Sequence, residues 1–387
     1  MQPGPMSFPR KKWPRCSNET EGLSLLRGVR VENYTVKRLL WPVALMVCLI
    51  LPGCKPGRPQ FAIPKISMIT GENLHSVVAF SPQEAEVFGN MGIIFRTVTG
   101  GETTEAWERI ESGAGDALLC DNAFVDRETG WAVGIKGTII HSTDGGKTWK
   151  PQNSGTEKNL FSVSFPDARN GWVVGEFGTI IHTGDGGETW QSLSQGSDKE
   201  LNGVYFVDAL RGWVVGEFGT ILYTGDGGTT WEAQTCEEIQ TNNDMFSYDW
   251  RPMPALYGVH FLNADTGLII GADGIILKTD DGGKKWRKLQ SNCDVPLYGV
   301  EMVGNKGWIV GNRGFYLSSH DGGDTWQVKD GLIKTRFWLK EVSFIDENNG
   351  WIVGAMGTLA HTADGGESWK LISGMTYDMQ EYGLTDF

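Results

Sequence analysis

Beyond residue 73 the chain repeats one pattern of apolar and polar positions seven times. In a clear copy, 160–166, 171–175, 179–183 and 189–193 read as four short β-strands separated by turn residues, with Phe161, Val163 and Phe165 spaced by two. A period of two buries one face of a strand and leaves the other free. Each unit closes on a tryptophan, and Trp107, Trp149, Trp190, Trp231, Trp286, Trp326 and Trp369 follow one another at 42, 41, 41, 55, 40 and 43 residues. From the head of strand two (Trp131, Trp172, Trp213, Leu268, Trp308, Trp351) to the closing tryptophan the distance is always 18 residues. Length variation therefore lies outside the central hairpins, and only the first unit departs, by three residues. One four-stranded sheet cannot bury both faces alone, whereas seven packed radially can. The pattern predicts an all-β, seven-bladed β-propeller over 73–374 with four-stranded blades.

Composition points the same way. The 387 residues include 53 glycines and 16 tryptophans, with 21% charged and 40% hydrophobic positions, which excludes a disordered chain and disfavours a helical bundle. The Gly-x-x-Gly element between strands two and three is expected to supply positive φ for a tight hairpin, and tryptophan to fill the wedge between blades. Net charge is −13, but residues 1–53 carry eight Lys or Arg against three Glu, so the remainder stands at −18. Such a body repels phosphate backbones and anionic headgroups, and nucleic acid is not an expected partner.

The first 53 residues read as a leader. Lys37-Arg38 precede an apolar run over 39–51 that is too short to span a bilayer and the right length for a signal-peptide core. It ends in Leu51-Pro52-Gly53-Cys54, which resembles a bacterial lipobox, with Cys54 as the lipid-attachment residue and the mature N-terminus. The polar preface over 1–36 is long for a signal peptide and points to a mis-assigned start. Residues 54–72, rich in proline and glycine at their beginning, read as a tether, and 375–387 as a C-terminal tail. An exported, lipid-anchored monomer is the expectation.

A Ser/Thr-x-Asp-Gly-Gly element recurs before the closing tryptophan of six units and resembles the Asp-box (BNR) turn. Its aspartates, Asp144, Asp185, Asp226, Asp281, Asp321 and Asp364, are expected to be structural, each accepting backbone N–H bonds while the glycines take left-handed conformations. Thr99 stands in that place in the first unit, which should be the least regular blade. Taken together, Gly-Trp-x-Val-Gly-x-x-Gly-Thr-Ile followed by Thr-x-Asp-Gly-Gly-x-Thr-Trp resembles the photosystem II assembly and stability factor family of cyanobacteria and plastids. The resemblance covers all seven repeats and includes the lipoprotein-type leader. It implies a non-enzymatic scaffold that holds a membrane-protein or complex-assembly intermediate, without a cofactor. Members of that family hold their client with an arginine-rich patch. Here ten arginines are spread thinly over 54–387, and Arg127, Arg169 and Arg211 recur in consecutive loops between strands one and two.

The 55-residue interval marks an insertion over 233–255 containing Cys236, Tyr248, Trp250 and Arg251. It should share a face with the turns Glu176-Phe177 and Glu217-Phe218. Phe177, Phe218, Tyr248, Trp250 and Arg251 are the candidate partner-binding residues, on the condition that the two phenylalanines are exposed and do not tuck between blades. Cys236 and Cys293 fall in consecutive blade-to-blade loops, and in an oxidising compartment they are expected to pair as a disulfide. Cys120 sits in an inner-strand pattern and reads as a small buried hydrophobe. Catalytic signals are weak. His141, His182 and His361 occupy one repeated position on different blades, too far apart for a shared metal. The alternative function, a sialidase-like glycoside hydrolase or glycan-binding propeller, requires arginines converging at the axis near Tyr257 and Tyr298, and Phe95-Arg96-Thr97 is its faintest trace.

Overall fold

The computed structural model describes residues 65–67, 69–240, 253–329 and 331–376. Cys54, the leader and the residues after 376 lie outside them, as do Tyr248, Trp250 and Arg251. The described chain forms seven antiparallel sheets, each built from one contiguous repeat in the order of the sequence. Blade three is typical, with strands Leu160–Ser164, Gly171–Gly175, Thr179–Thr183 and Gln191–Ser192. The outermost strand is short because only its first residues reach the neighbouring ladder. One strand is added from the segment read as a tether: Lys65–Ser67 pairs antiparallel with Lys370–Thr376 on the outer edge of blade seven. It extends the sheet of blade seven, which meets blade one to close the ring.

That junction is made by packing. Leu74, Val77 and Val87 of blade one share an apolar cluster with Trp351, Val353 and Leu359 of blade seven. Elsewhere the tryptophan of strand two joins neighbouring blades. Trp131, Trp172, Trp213 and Trp308 stack on Phe165, Phe206, Phe261 and Phe344 of the next blade at 3.5–3.6 Å between ring centroids. Each also donates its indole N–H to a carbonyl of the next Asp-box, Gly186, Gly227, Gly282 and Gly365 respectively. Stacked pairs contribute about 0.5–1.5 kcal/mol beyond their buried area, and the hydrogen bond fixes their angle.

Departures from the repeat show what the tryptophan does. In blade five, where Leu268 replaces it, Lys278 reaches across and donates to the Gly322 carbonyl at 2.8 Å. In blade seven the next unit has no Asp-box, and the Trp351 indole N–H has no partner. In blade one the position is held by Glu86, fully buried beside Arg96. Burial pushes that carboxyl up to about 8 despite the guanidinium.

The inner strands would leave backbone N–H groups unpaired on the channel wall. Side chains from the adjacent blade cap them. Asp121 accepts from Val163 N–H, Ser162 from Val204, Ser164 from Phe206, Glu301 from Phe344 and Ser343 from Ala79. These bonds run around the axis and stitch the ring where it is narrowest.

Candidate protein-binding face

The inner strands enclose a channel. It holds a cavity of about 640 Å³ lined by the inner strands, including His75, Cys120, Asp121, Tyr257, Tyr298, Glu301, Lys340 and Glu341. Asp121 and Glu301 are occupied as acceptors for backbone N–H groups. Burial raises the carboxyls of Asp121 and Glu341 and pushes Glu301 up to about 8, so the wall is poor in free anions. Burial also pushes the Cys120 thiol up to about 12. The Tyr257 and Tyr298 rings lie 5.4 Å apart, and Lys340 Nζ sits 5.5 Å from the Tyr298 ring. None of the described residues lining the cavity is an arginine. Arg96 lies elsewhere, buried against Glu84 and Glu86 within blade one. The arginine cluster that a sialidase-like site needs is not formed among the described residues. His141, His182 and His361 each pack on the strand-two tryptophan of their own blade, at 4.7, 4.6 and 4.1 Å.

The Asp-boxes are closed on themselves. In blade three, Thr183 Oγ1 donates to Asp185 Oδ1 while accepting from Gly187 N–H; Thr189 donates its N–H to Oδ1 and its hydroxyl to Oδ2. The N–H and hydroxyl of Thr189 and the hydroxyl of Thr183 hold the Asp185 carboxyl down at about 2. Asp144, Asp226, Asp321 and Asp364 repeat the arrangement. Asp281 keeps the bonds to Thr279 and Lys285 N–H, but Lys285 has no hydroxyl to complete it. On this same face Arg127 pairs with Glu84 and covers the Phe80 ring, and Arg211 pairs with Asp208. Two of the three recurring arginines are therefore neutralised within the protein.

The opposite face is made by the turns between strands two and three. Each turn bonds to the loop entering its own blade and, in most blades, to the loop entering the next: Glu176 N–H to the Asn159 carbonyl and Gly178 N–H to Lys199, Glu217 N–H to Glu200 and Gly219 N–H to Pro254. The Gly-x-x-Gly expectation needs correcting at its first glycine. Gly175 is extended, at φ −175, and is required because a Cβ there would meet the Asn159 carbonyl oxygen at 2.0 Å. The two left-handed residues are the third and fourth, Phe177 (φ 53) and Gly178 (φ 63). The same holds around the ring, where the third position is Met91, Lys136, Phe177, Phe218, Asp273, Arg313 and Met356.

A turn whose two central residues are both left-handed favours Asn, Asp or Gly at the first of them. A side chain with a Cβ costs about 1–2 kcal/mol there. Phe177, Phe218 and Met91 nonetheless occupy it, and they are 53%, 47% and 53% exposed. The two phenylalanines lie on adjacent blades and do not tuck between them. Bulky apolar side chains held in a strained conformation and presented to solvent have no packing role that explains them. Met91 joins this set once all seven turns are aligned on the residue before the second glycine, whereas Met356, at the same position, is partly buried.

The insertion is anchored at the same place. Its described ends reach the Phe218 turn, where Ile239 and Met253 flank Gly219 and the Pro254 carbonyl accepts Gly219 N–H. The expected disulfide is absent: Cys236 and Cys293 are both free thiols. Cys236 is buried in the apolar cluster between blades four and five and donates to the Trp286 carbonyl. Cys293 packs in the next cluster, between blades five and six, with Leu268 and Leu297. Adjacent loops thus send their sulfurs into different wedges.

The family model described as photosynthesis system II assembly factor YCF48 matches residues 100–199, 195–296 and 249–332. Photosystem II assembly protein Ycf48 of Thermosynechococcus vestitus is 41% identical over 46 residues, a match spanning 12% of this chain and 13% of that protein. Among solved structures, YCF48 bound to a D1 peptide superposes with a TM-score of 0.61 at 21% identity, over 77% of this chain and 95% of that one. YCF48 from Cyanidioschyzon merolae gives 0.59 at 18% identity, over 79% and 100%. The GH74 enzyme of Niastella koreensis shares the fold at 0.58 and 14% identity, over 79% of this chain and only 55% of the enzyme.

Proposed function

Because the chain belongs to the YCF48 family of photosystem II assembly factors, we propose that it is a non-enzymatic scaffold that binds a segment of a membrane-protein intermediate during complex assembly. The binding face is the one formed by the strand two-to-three turns and the described ends of the insertion, and the exposed pair Phe177 and Phe218 carries this reading. Such side chains are typical anchors of protein interfaces, where a few aromatic residues supply most of the affinity. The similarity to a YCF48 structure described as bound to a D1 peptide supports a peptide-like client. The proposal includes export and lipidation at Cys54, for which the lipobox-like sequence is the support, and a monomeric state. A glycoside hydrolase reading gains nothing from the channel, whose carboxyls Asp121 and Glu301 cap backbone N–H groups.

Affinity purification from gently solubilised membranes tests it. Phe177→Asn with Phe218→Asn is a better probe than removal of the insertion, because Cys236 and Ile239 within it are packed between blades. The expected result is a membrane-protein client with the wild type and its loss with the double variant. Equal recovery with both would overturn the assignment of the face, and no membrane protein with the wild type would overturn the function.

A further inference from the structure

Resting on that reading, we infer that the Phe177–Phe218 face selects a client segment in which lysine or arginine flanks bulky apolar side chains. The two phenylalanines are set among carboxylates. Glu176 and Glu217 precede them in their turns, and Glu200 lies in the loop between the two blades, its N–H donating to Glu217 Oε2 at 3.1 Å. Glu176 Oε2 in turn accepts from Asn159 N–H at 3.2 Å. Both carboxylates are thereby held at the rim beside the rings. Burial, then repulsion from Glu217 and Glu176, raises the Glu200 carboxyl.

The surrounding loops add to the same sign. Among the described residues of the loops entering blades three, four and five, Glu157, Asp198, Glu237 and Glu238 are acidic, and Lys158 and Lys199 are basic. Both lysines are engaged: Lys158 Nζ lies 5.9 Å from the Phe177 ring, and Lys199 Nζ donates to Thr220 Oγ1. An apolar anchor ringed by carboxylates is complementary to an apolar anchor ringed by cations. It repels an acidic segment of equal hydrophobicity, and such charge arrangements set specificity and on-rate more than they set raw affinity.

The test uses three synthetic 15-residue peptides, fluorescently labelled, whose Leu residues are flanked by Lys, by Glu, or replaced by Ser with the Lys retained. Binding to the propeller is followed by anisotropy at low and at physiological salt. The Leu/Lys peptide is expected to bind at least tenfold more tightly than either other peptide, with affinity falling as salt rises. The triple substitution Glu176→Gln, Glu200→Gln and Glu217→Gln should weaken it about tenfold and make the salt dependence shallower. Equal binding of Leu/Lys and Leu/Glu peptides, or an unchanged triple variant, would overturn the inference. Failure of this inference is separable from failure of the proposed function: a triple variant that still captures the membrane client, where the Phe177→Asn/Phe218→Asn variant does not, removes the charge rule and leaves the face intact.

Discussion

Glu301 offers a stability prediction whose sign and size follow from the ring's inner stitching. Its carboxyl lines the channel, accepts Phe344 N–H across the junction of blades six and seven, and is pushed by burial from an ordinary 4.5 to about 8. The folded state therefore holds a proton on Glu301 that the unfolded chain releases, and stability contributed by that proton is lost as pH rises towards 8. At about 1.4 kcal/mol per pH unit, the loss between 4.5 and 7 is about 3.5 kcal/mol. The carboxyl itself begins to ionise as pH nears 8, which flattens the slope there, and we expect about 2 kcal/mol between pH 6.5 and 8. The window matters because burial lowers His75 and His260 to about 4. Their contribution is lost as pH falls towards 4 and is constant above 6.5. Glu301→Gln keeps an acceptor for Phe344 N–H and removes the titration. Urea unfolding at pH 6.5, 7.25 and 8 should show wild-type stability falling with pH and the variant's falling by about 2 kcal/mol less. Parallel slopes for the two proteins would refute the assignment of a protonated, buried Glu301.

Other consequences follow from the repeat itself. Trp172→Phe removes the indole bond to the Gly227 carbonyl, whereas Trp351→Phe removes an N–H that has no partner, so thermal or urea unfolding should find the first about 1 kcal/mol more costly. Asp321→Ala breaks bonds to Ser319 and to the N–H and hydroxyl of Thr325; it should cost about 1–2 kcal/mol in urea unfolding, more than Asp281→Ala, where the last of these is missing. Alkylation under denaturing, non-reducing conditions should label both Cys236 and Cys293, and mass spectrometry showing them joined would contradict their placement in separate wedges. Phe177→Asn should leave stability within about 2 kcal/mol of wild type by urea unfolding, since relief of left-handed strain offsets the loss of a half-exposed ring.

Much of this architecture was legible in the sequence for a physical reason. The period of two and the fixed 18-residue spacing are imposed by strand geometry and by the hairpins, and both survive in the chain of letters. The Asp-box was equally legible because its bonds span only four residues. What was not legible depends on neighbours one repeat away. The caps between inner strands join Asp121 to Val163, Ser162 to Val204 and Glu301 to Phe344, offsets of about one repeat that a scan within single units passes over. Glu86 stands where other blades carry tryptophan, and only alignment of the whole first repeat shows it. The cysteine pairing failed because loop proximity says nothing about which wedge a sulfur enters. At the candidate face, the neighbourhood of Phe177 and Phe218 was readable, but their exposure was decided by the backbone, which turns the residue before the second glycine outward in a left-handed conformation.

The central claim is that a client docks on the turn face and not on the Asp-box face. Site-specific photocrosslinking tests it directly, with a benzophenone side chain placed at Phe218 or, on the other face, at Glu188, and membranes of the source cells as the target. The account predicts a discrete adduct with a membrane protein from position 218 and none from position 188. Adducts from position 188 with none from position 218 would contradict it.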